Sequence, residues 1–159
     1  MRFSGYGLAM SAPATHTAYS DAEVASLAVR LLDHSLPKAE WTHAAHLAAT
    51  LRLVRQRNAG LERDLPDIIR TYNVAAGGVN DDTSGYHETL TQAYLAAIRA
   101  FVSDLPEGLS DGEAVARLLA SPMGDRAWPL TFWSRERLFS VEARRTWLEP
   151  DLAPLDAPV

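Results

Sequence analysis

The chain has 159 residues, a net charge of −5 at neutral pH and no cysteine. That is one domain's length, enough to bury a core, and the missing thiols exclude disulfides, thiolate metal sites, iron–sulfur clusters and cysteine nucleophiles. The negative balance opposes nucleic acid as a partner, because a general binder needs a positive field for the phosphates. No run approaches the roughly 18 apolar residues of a membrane span, and residues 1–19 contain no signal-peptide core. No membrane partner is expected, and the expected location is cytoplasmic.

Residues 1–19 read as an unanchored, disordered tail, with Met10 as an alternative start. Ser20-Asp21-Ala22-Glu23 is a capping-box pattern, and Val24, Leu27, Ala28, Leu31 and Leu32 follow at helical spacing. The pattern predicts a first helix from about Asp21 to Ser35, ending before Pro37. His34, in its last turn, reads as a side chain placed favourably against the helix dipole. Thr42 can cap a second helix, whose stripe is His43, His46, Leu47, Thr50, Leu53 and Val54, with Arg52, Arg55 and Arg57 largely outside it. Asn58-Ala59-Gly60 stops that helix.

A third helix is expected with Pro66 in its first turn and Ile68, Ile69 and Tyr72 facing inward. The stretch Gly77 to Gly85 is longer than a tight helix connection requires and is a candidate lid. The fourth helix begins near Tyr86 or His87, with His87, Leu90, Tyr94, Ala97, Ile98 and Phe101 on its inner stripe. Ser110-Asp111-Gly112-Glu113 is a second capping box, opening a fifth helix through Ala120. Beyond it Pro129 forbids one continuous helix. Trp128, Phe132, Trp133, Leu138, Phe139 and Trp147 are expected to pack a broken segment around the bundle, with short helical pieces after Ser134 and Ser140. The expected fold is all-α: an up-down bundle of four to five main helices with an aromatic-rich C-terminal segment, residues 20–149 forming one domain and 150–159 a tail.

In such a bundle the second and fourth helices are parallel, so His43, His46 and His87 meet at one end. His43 and His46 are three apart and face one way. A helix N-terminus disfavours imidazolium and leaves a lone pair available. Three imidazoles with an open position suit a divalent transition metal, whether zinc, iron, nickel, cobalt or manganese. His87 could instead cap its helix or bond a neighbouring carbonyl within a satisfied polar core. Glu88 lies about 100° round the helix from His87, which suits it to a base or cap behind the site; it is the candidate catalytic residue. Thr91 is a candidate supporting hydroxyl, Asp81 and Asp82 are loop carboxylates or solvated charges, and Trp41 and Tyr86 could wall a pocket. The spacing is not H-E-x-x-H, and no P-loop, dinucleotide fingerprint or nucleophile elbow occurs.

W-T-H-x-A-H-L, G-Y-H-E-T-L-T and W-S-R-E-R-L-F-S together resemble a group of small bacterial helical proteins without an assigned activity, over roughly residues 36–150. The layout is also similar, in architecture only, to the DinB/YfiT-like metal-binding bundles, which place three histidines on two helices. There the paired histidines lie on the later helix and are usually four apart. Three readings compete: a metal-dependent enzyme acting on a small molecule, a metal-free small-molecule binding module using the same pocket, and a helical interaction or homo-oligomerisation module. The last would use Trp128, Trp133 and Trp147 as an exposed anchor patch.

Overall fold

The computed structural model describes residues 18–156, and most of the expected N-terminal tail, with Met10, lies outside them. The main helices are α1 (Asp21–Leu32), α2 (His43–Arg57), α3 (Leu61–Ala75), α4 (Glu88–Ser103) and α5 (Asp111–Ala120). Two short helices follow, α6 (Arg135–Leu138) and α7 (Val141–Arg145), and the connections hold single 3₁₀ turns. No strand occurs among the described residues, and none of their helices is long and apolar enough to cross a membrane.

Both capping boxes form. Ser20 and Ser110 each accept the backbone N–H of a glutamate three residues on, and that glutamate returns the bond. The first helix is shorter than its periodicity suggests. It ends at Leu32 because Leu36 must turn back into the core, where it is buried. His34 makes that reversal with φ at 64°, and the Leu36 N–H then bonds Arg30 O at 3.1 Å. His34 is therefore an exposed turn residue beyond the helix rather than part of its last turn.

Helix α2 runs through the middle of the molecule, packed by α1, α4 and α5. Its buried set extends beyond the predicted stripe to Ala45, Ala48, Ala49 and Leu51. Small residues at the first three positions allow neighbouring helices to approach closely, so the helix is apolar on several faces. Arg52 and Arg55 are not free solvent charges: both grip Asp111 at the start of α5, Arg55 at 2.7 Å, and Arg55 also donates to Leu109 O. On the other side of α5, Gly112 N–H donates to Asp21 Oδ1 at 2.7 Å. The backbones are so close there that a Cβ on Gly112 would stand 2.6 Å from Tyr19 O.

Helix α3 opens at Leu61, after Gly60 in the left-handed region, which places Pro66 inside the helix rather than in its first turn. A proline there cannot donate to the carbonyl four residues back. That carbonyl, Glu62 O, is taken instead by the Gln92 side chain at 2.9 Å, so the break in one helix becomes a link to another. Arg99, also on α4, holds the preceding turn through Asn58 O at 2.8 Å and Glu62 at 2.6 Å.

The aromatic segment wraps α4 as expected and builds a second small core. Trp133 and Leu138 bury completely against Ala93, with Leu90, Phe132 and Trp147 packed round them. Trp133 Nε1–H donates to Leu148 O, and the buried Thr89 hydroxyl donates to Thr146 O while accepting from Leu148 N–H. Phe139 departs from the expected packing: it is 54% exposed. The tryptophans do not form an exposed patch, since Trp133 is inaccessible and Trp128 and Trp147 lie half-buried in a chain of ring contacts. The segment read as a C-terminal tail is docked as far as it is described. Asp151 accepts from Ser134, Leu152 N–H bonds Phe132 O, and Leu155 joins the second core.

Gly112→Ala tests the close approach of α1 and α5. Overpacking against a fixed carbonyl should lower unfolding free energy by about 1–3 kcal/mol, read as a lower urea midpoint with an unchanged slope. An unchanged midpoint would mean that the two helix starts are free to part.

Candidate functional site

The N-termini of α2 and α4 open onto one cavity of about 400 Å³, closed below by α3 and above by the C-terminal wrap. His43, His46 and His87 all line it, so the convergence expected from topology occurs. A larger hollow of about 660 Å³ along residues 147–155 is more open to solvent and contains none of the predicted site residues.

The three imidazoles have different environments. Thr42 caps α2 by accepting Ala45 N–H, which fixes the first turn carrying His43 and His46. His43 donates Nε2–H to Met123 O at 2.9 Å and sets its ring edge against Tyr94. His87 is 6% exposed and is the N-cap of α4: its Nδ1 accepts Leu90 N–H at 3.2 Å while Nε2–H donates to Leu138 O at 2.8 Å. Burial holds its pKa below the usual value, so it is the neutral Nε2–H form that makes both bonds. His46 stacks on Trp41, with ring centroids 3.7 Å apart, and has no hydrogen-bond partner among the described residues. Its side chain is exposed to the open part of the cavity, although many protein atoms lie near it. Loss of hydration pushes its pKa down to about 3, with the charges of His43 and Arg126 acting in the same direction. Cavity water offsets part of this, and the ring is neutral at pH 7 in either case.

Glu88 does not line the cavity. It accepts from Tyr86 Oη–H at 2.5 Å and from Gln92 at 3.1 Å. Tyr86, which does line the cavity, is thereby held from behind, with Arg70 over its ring at 4.1 Å. Burial and then the Glu88 carboxylate raise the Tyr86 hydroxyl's pKa, so it stays protonated. Thr91 lines the cavity, whereas Trp41 acts one step back, as the surface on which His46 rests.

The Gly77–Gly85 loop is tied down by its own side chains. Asp81 accepts from the N–H groups of Thr83 and Ser84, and Asn80 bridges Asn73 of α3 to Tyr86 N–H. Asp82 makes a two-pronged pair with Arg145 of α7 at 2.7–2.8 Å. Gly85 is required where the loop closes, since a Cβ there would meet Val79 O at 2.1 Å. The two aspartates therefore shape the approach to Tyr86 and His87 rather than lining the cavity.

Among the described residues no three His, Cys, Asp or Glu side chains gather in an arrangement that could hold a metal ion. Both nitrogens of His87 are already committed to backbone groups. Three polar cavity residues, Thr50, Tyr94 and Arg126, were not singled out from the sequence as site residues, Thr50 being read only as a stripe position of α2. Tyr94 reads there as a core position, and Arg126 lies in an aperiodic stretch with no signal of its own. Burial raises the Tyr94 hydroxyl's pKa, and the hydroxyl, like the Arg126 guanidinium, has no hydrogen-bond partner among the described residues. Comparison with protein-family models, with curated proteins and with solved structures finds no match to this chain.

The depressed pKa values of His46 and His87 fix the sign of a pH effect. The unfolded chain takes up protons near pH 6.5 and the folded chain only lower, so stability is complete above that pH and falls below it. Carboxylates held low by hydrogen bonds, such as Asp21, Glu62 and Asp81, lose their contribution only below about pH 4. The melting temperature should therefore drop between pH 7 and about pH 5, and His46→Gln should flatten that drop. An identical slope in wild type and variant would show that His46 is freely protonated in the fold.

Proposed function

We propose that the protein binds a small organic molecule in the cavity between α2, α3, α4 and the C-terminal wrap, without needing a metal ion. One observation carries this reading. Every buried side-chain nitrogen or oxygen among the described residues has a partner, whereas the exposed His46 ring and the half-buried Tyr94 hydroxyl both face the cavity and have no hydrogen-bond partner among the described residues. Polar groups converging without partners in an otherwise apolar hollow are what a ligand site requires, and the volume falls in the usual range for one. Leu47, Leu65, Ile69, Leu90 and Ile98 would contact the apolar body of the ligand.

A second reading places a divalent transition metal on His43, His46 and His87, with Glu88 behind the site. It is favoured by the nearness of the His43 and His46 imidazoles, one turn apart on α2 and both lining the cavity. It requires His87 to release Leu138 O or the α4 cap.

A ligand-observed magnetic resonance screen of small aromatic and aliphatic compounds tests the first reading. Wild type should give hits, and Thr50→Phe, which puts a ring into the cavity, should lose them while keeping its helical spectrum. Hits unaffected by Thr50→Phe, or none at all, would remove the binding pocket. Zinc titration of protein freed of metal decides the second reading. Stoichiometric uptake abolished by either His46→Ala or His87→Ala would establish the metal site in place of the metal-free pocket.

A further inference from the structure

We infer that the ligand of this cavity is an organic carboxylate, its anionic head held by Arg126 at the mouth and its apolar body enclosed by the helices. The inference rests on the binding reading above and adds the chemical class.

The charge of the lining carries it. Among the described residues no Asp or Glu lines the cavity, and Arg126 is the one Arg or Lys that does. Most arginines in the described chain are engaged. Arg30, Arg52, Arg55, Arg63, Arg70, Arg99 and Arg145 pair with carboxylates. Arg137 and Arg144 donate to backbone carbonyls, and Arg135 lies over Phe139. Arg57 and Arg117, which have no such partner among the described residues, point from exposed positions outside the cavity. Arg126 alone combines an unpaired guanidinium with a place on the cavity wall. The nearby Asp125 forms no ion pair with it and does not line the cavity: its carboxylate accepts Ala127 N–H at 2.8 Å, although its charge reaches the Tyr94 hydroxyl.

Two uncharged donors complete the head-group site. A neutral His46 presents one N–H, and Tyr94 presents a hydroxyl that its surroundings keep protonated. Arg126 lies close enough to both for its charge to act on each. A planar guanidinium with two neutral donors matches the acceptor geometry of one carboxylate. A phosphate carries nearly twice the charge, and with one cation it would be under-compensated in an apolar hollow. The remaining volume suits a body of on the order of ten non-hydrogen atoms, at about 30 Å³ each.

The test pairs acids with neutral isosteres. Phenylacetate, phenylpropionate, phenylbutyrate, indoleacetate and octanoate are each titrated beside the corresponding primary amide. Binding is read by calorimetry and by the fluorescence of Trp128, which packs on Tyr94 at 5.0 Å. At least one acid should bind wild type about tenfold or more tighter than its amide. Arg126→Gln should erase that preference by weakening acid binding far more than amide binding, Arg126→Lys should restore part of it, and Arg57→Gln should do nothing. Amides binding as well as acids, or a preference that survives Arg126→Gln, would overturn the carboxylate assignment while the pocket stands. Failure of every acid and every amide to bind wild type would overturn both the assignment and the pocket.

Discussion

The imidazole of His87 joins the two halves of this molecule. Its Nδ1 accepts the orphan N–H of Leu90 and so starts α4, while its Nε2–H reaches Leu138 O and holds the C-terminal wrap against that helix. Both bonds need the neutral ring in a single tautomer, which burial enforces. The roof of the cavity, from Pro129 and Leu130 to Leu138 and Phe139, stays in place because this contact and the Thr89–Thr146 bond tie the wrap to the start of α4. The side chain that the sequence offers as a candidate ligand is thus also a clamp between α4 and the wrap.

Several irregularities in the chain serve the same end. Pro66 deprives α3 of a backbone bond, and the carbonyl it leaves open becomes the anchor for Gln92. Gln92 also meets Glu88, which holds Tyr86 against the cavity under Arg70. The long Gly77–Gly85 connection uses its polar side chains to bond α3 and α7. These contacts form a continuous polar frame outside the cavity, distinct from the groups that face into it without a hydrogen-bond partner among the described residues.

The cavity's polar groups also differ in kind from those that frame it. His43, His87 and Tyr86 hydrogen-bond within the protein and set its shape. His46, Tyr94 and Arg126 have no hydrogen-bond partner among the described residues. That division is what supports the proposed ligand binding, since a preorganised site keeps its donors fixed by packing and open to the incoming molecule. His46 is oriented by the face of Trp41 and Tyr94 by the rings of His43 and Trp128, with no competing hydrogen bond in either case.

The sequence by itself determined the helical class, the two capping boxes, the Thr42 cap and the convergence of His43, His46 and His87. Each of these depends on local spacing or on the alternation of short connections, which a linear pattern records. It also placed the two short helices after Ser134 and Ser140, because a serine before a helical turn is a local signal. The end of α1 was beyond its reach, since the need to bury Leu36 overrides a helical stripe that continues past Leu32. So were the burial of α2 on several faces and the pairing of Arg52 and Arg55 with Asp111, fifty-nine and fifty-six residues away. Only the tertiary structure decided the state of each imidazole, because the carbonyls of Met123 and Leu138 come from distant, aperiodic segments. Arg126 shows the same limit: nothing in Gly124-Asp125-Arg126-Ala127 marks a binding residue. The role proposed for it arises only because the tertiary structure carries it to a cavity wall where, among the described residues, no Asp, Glu, Lys or other Arg lies.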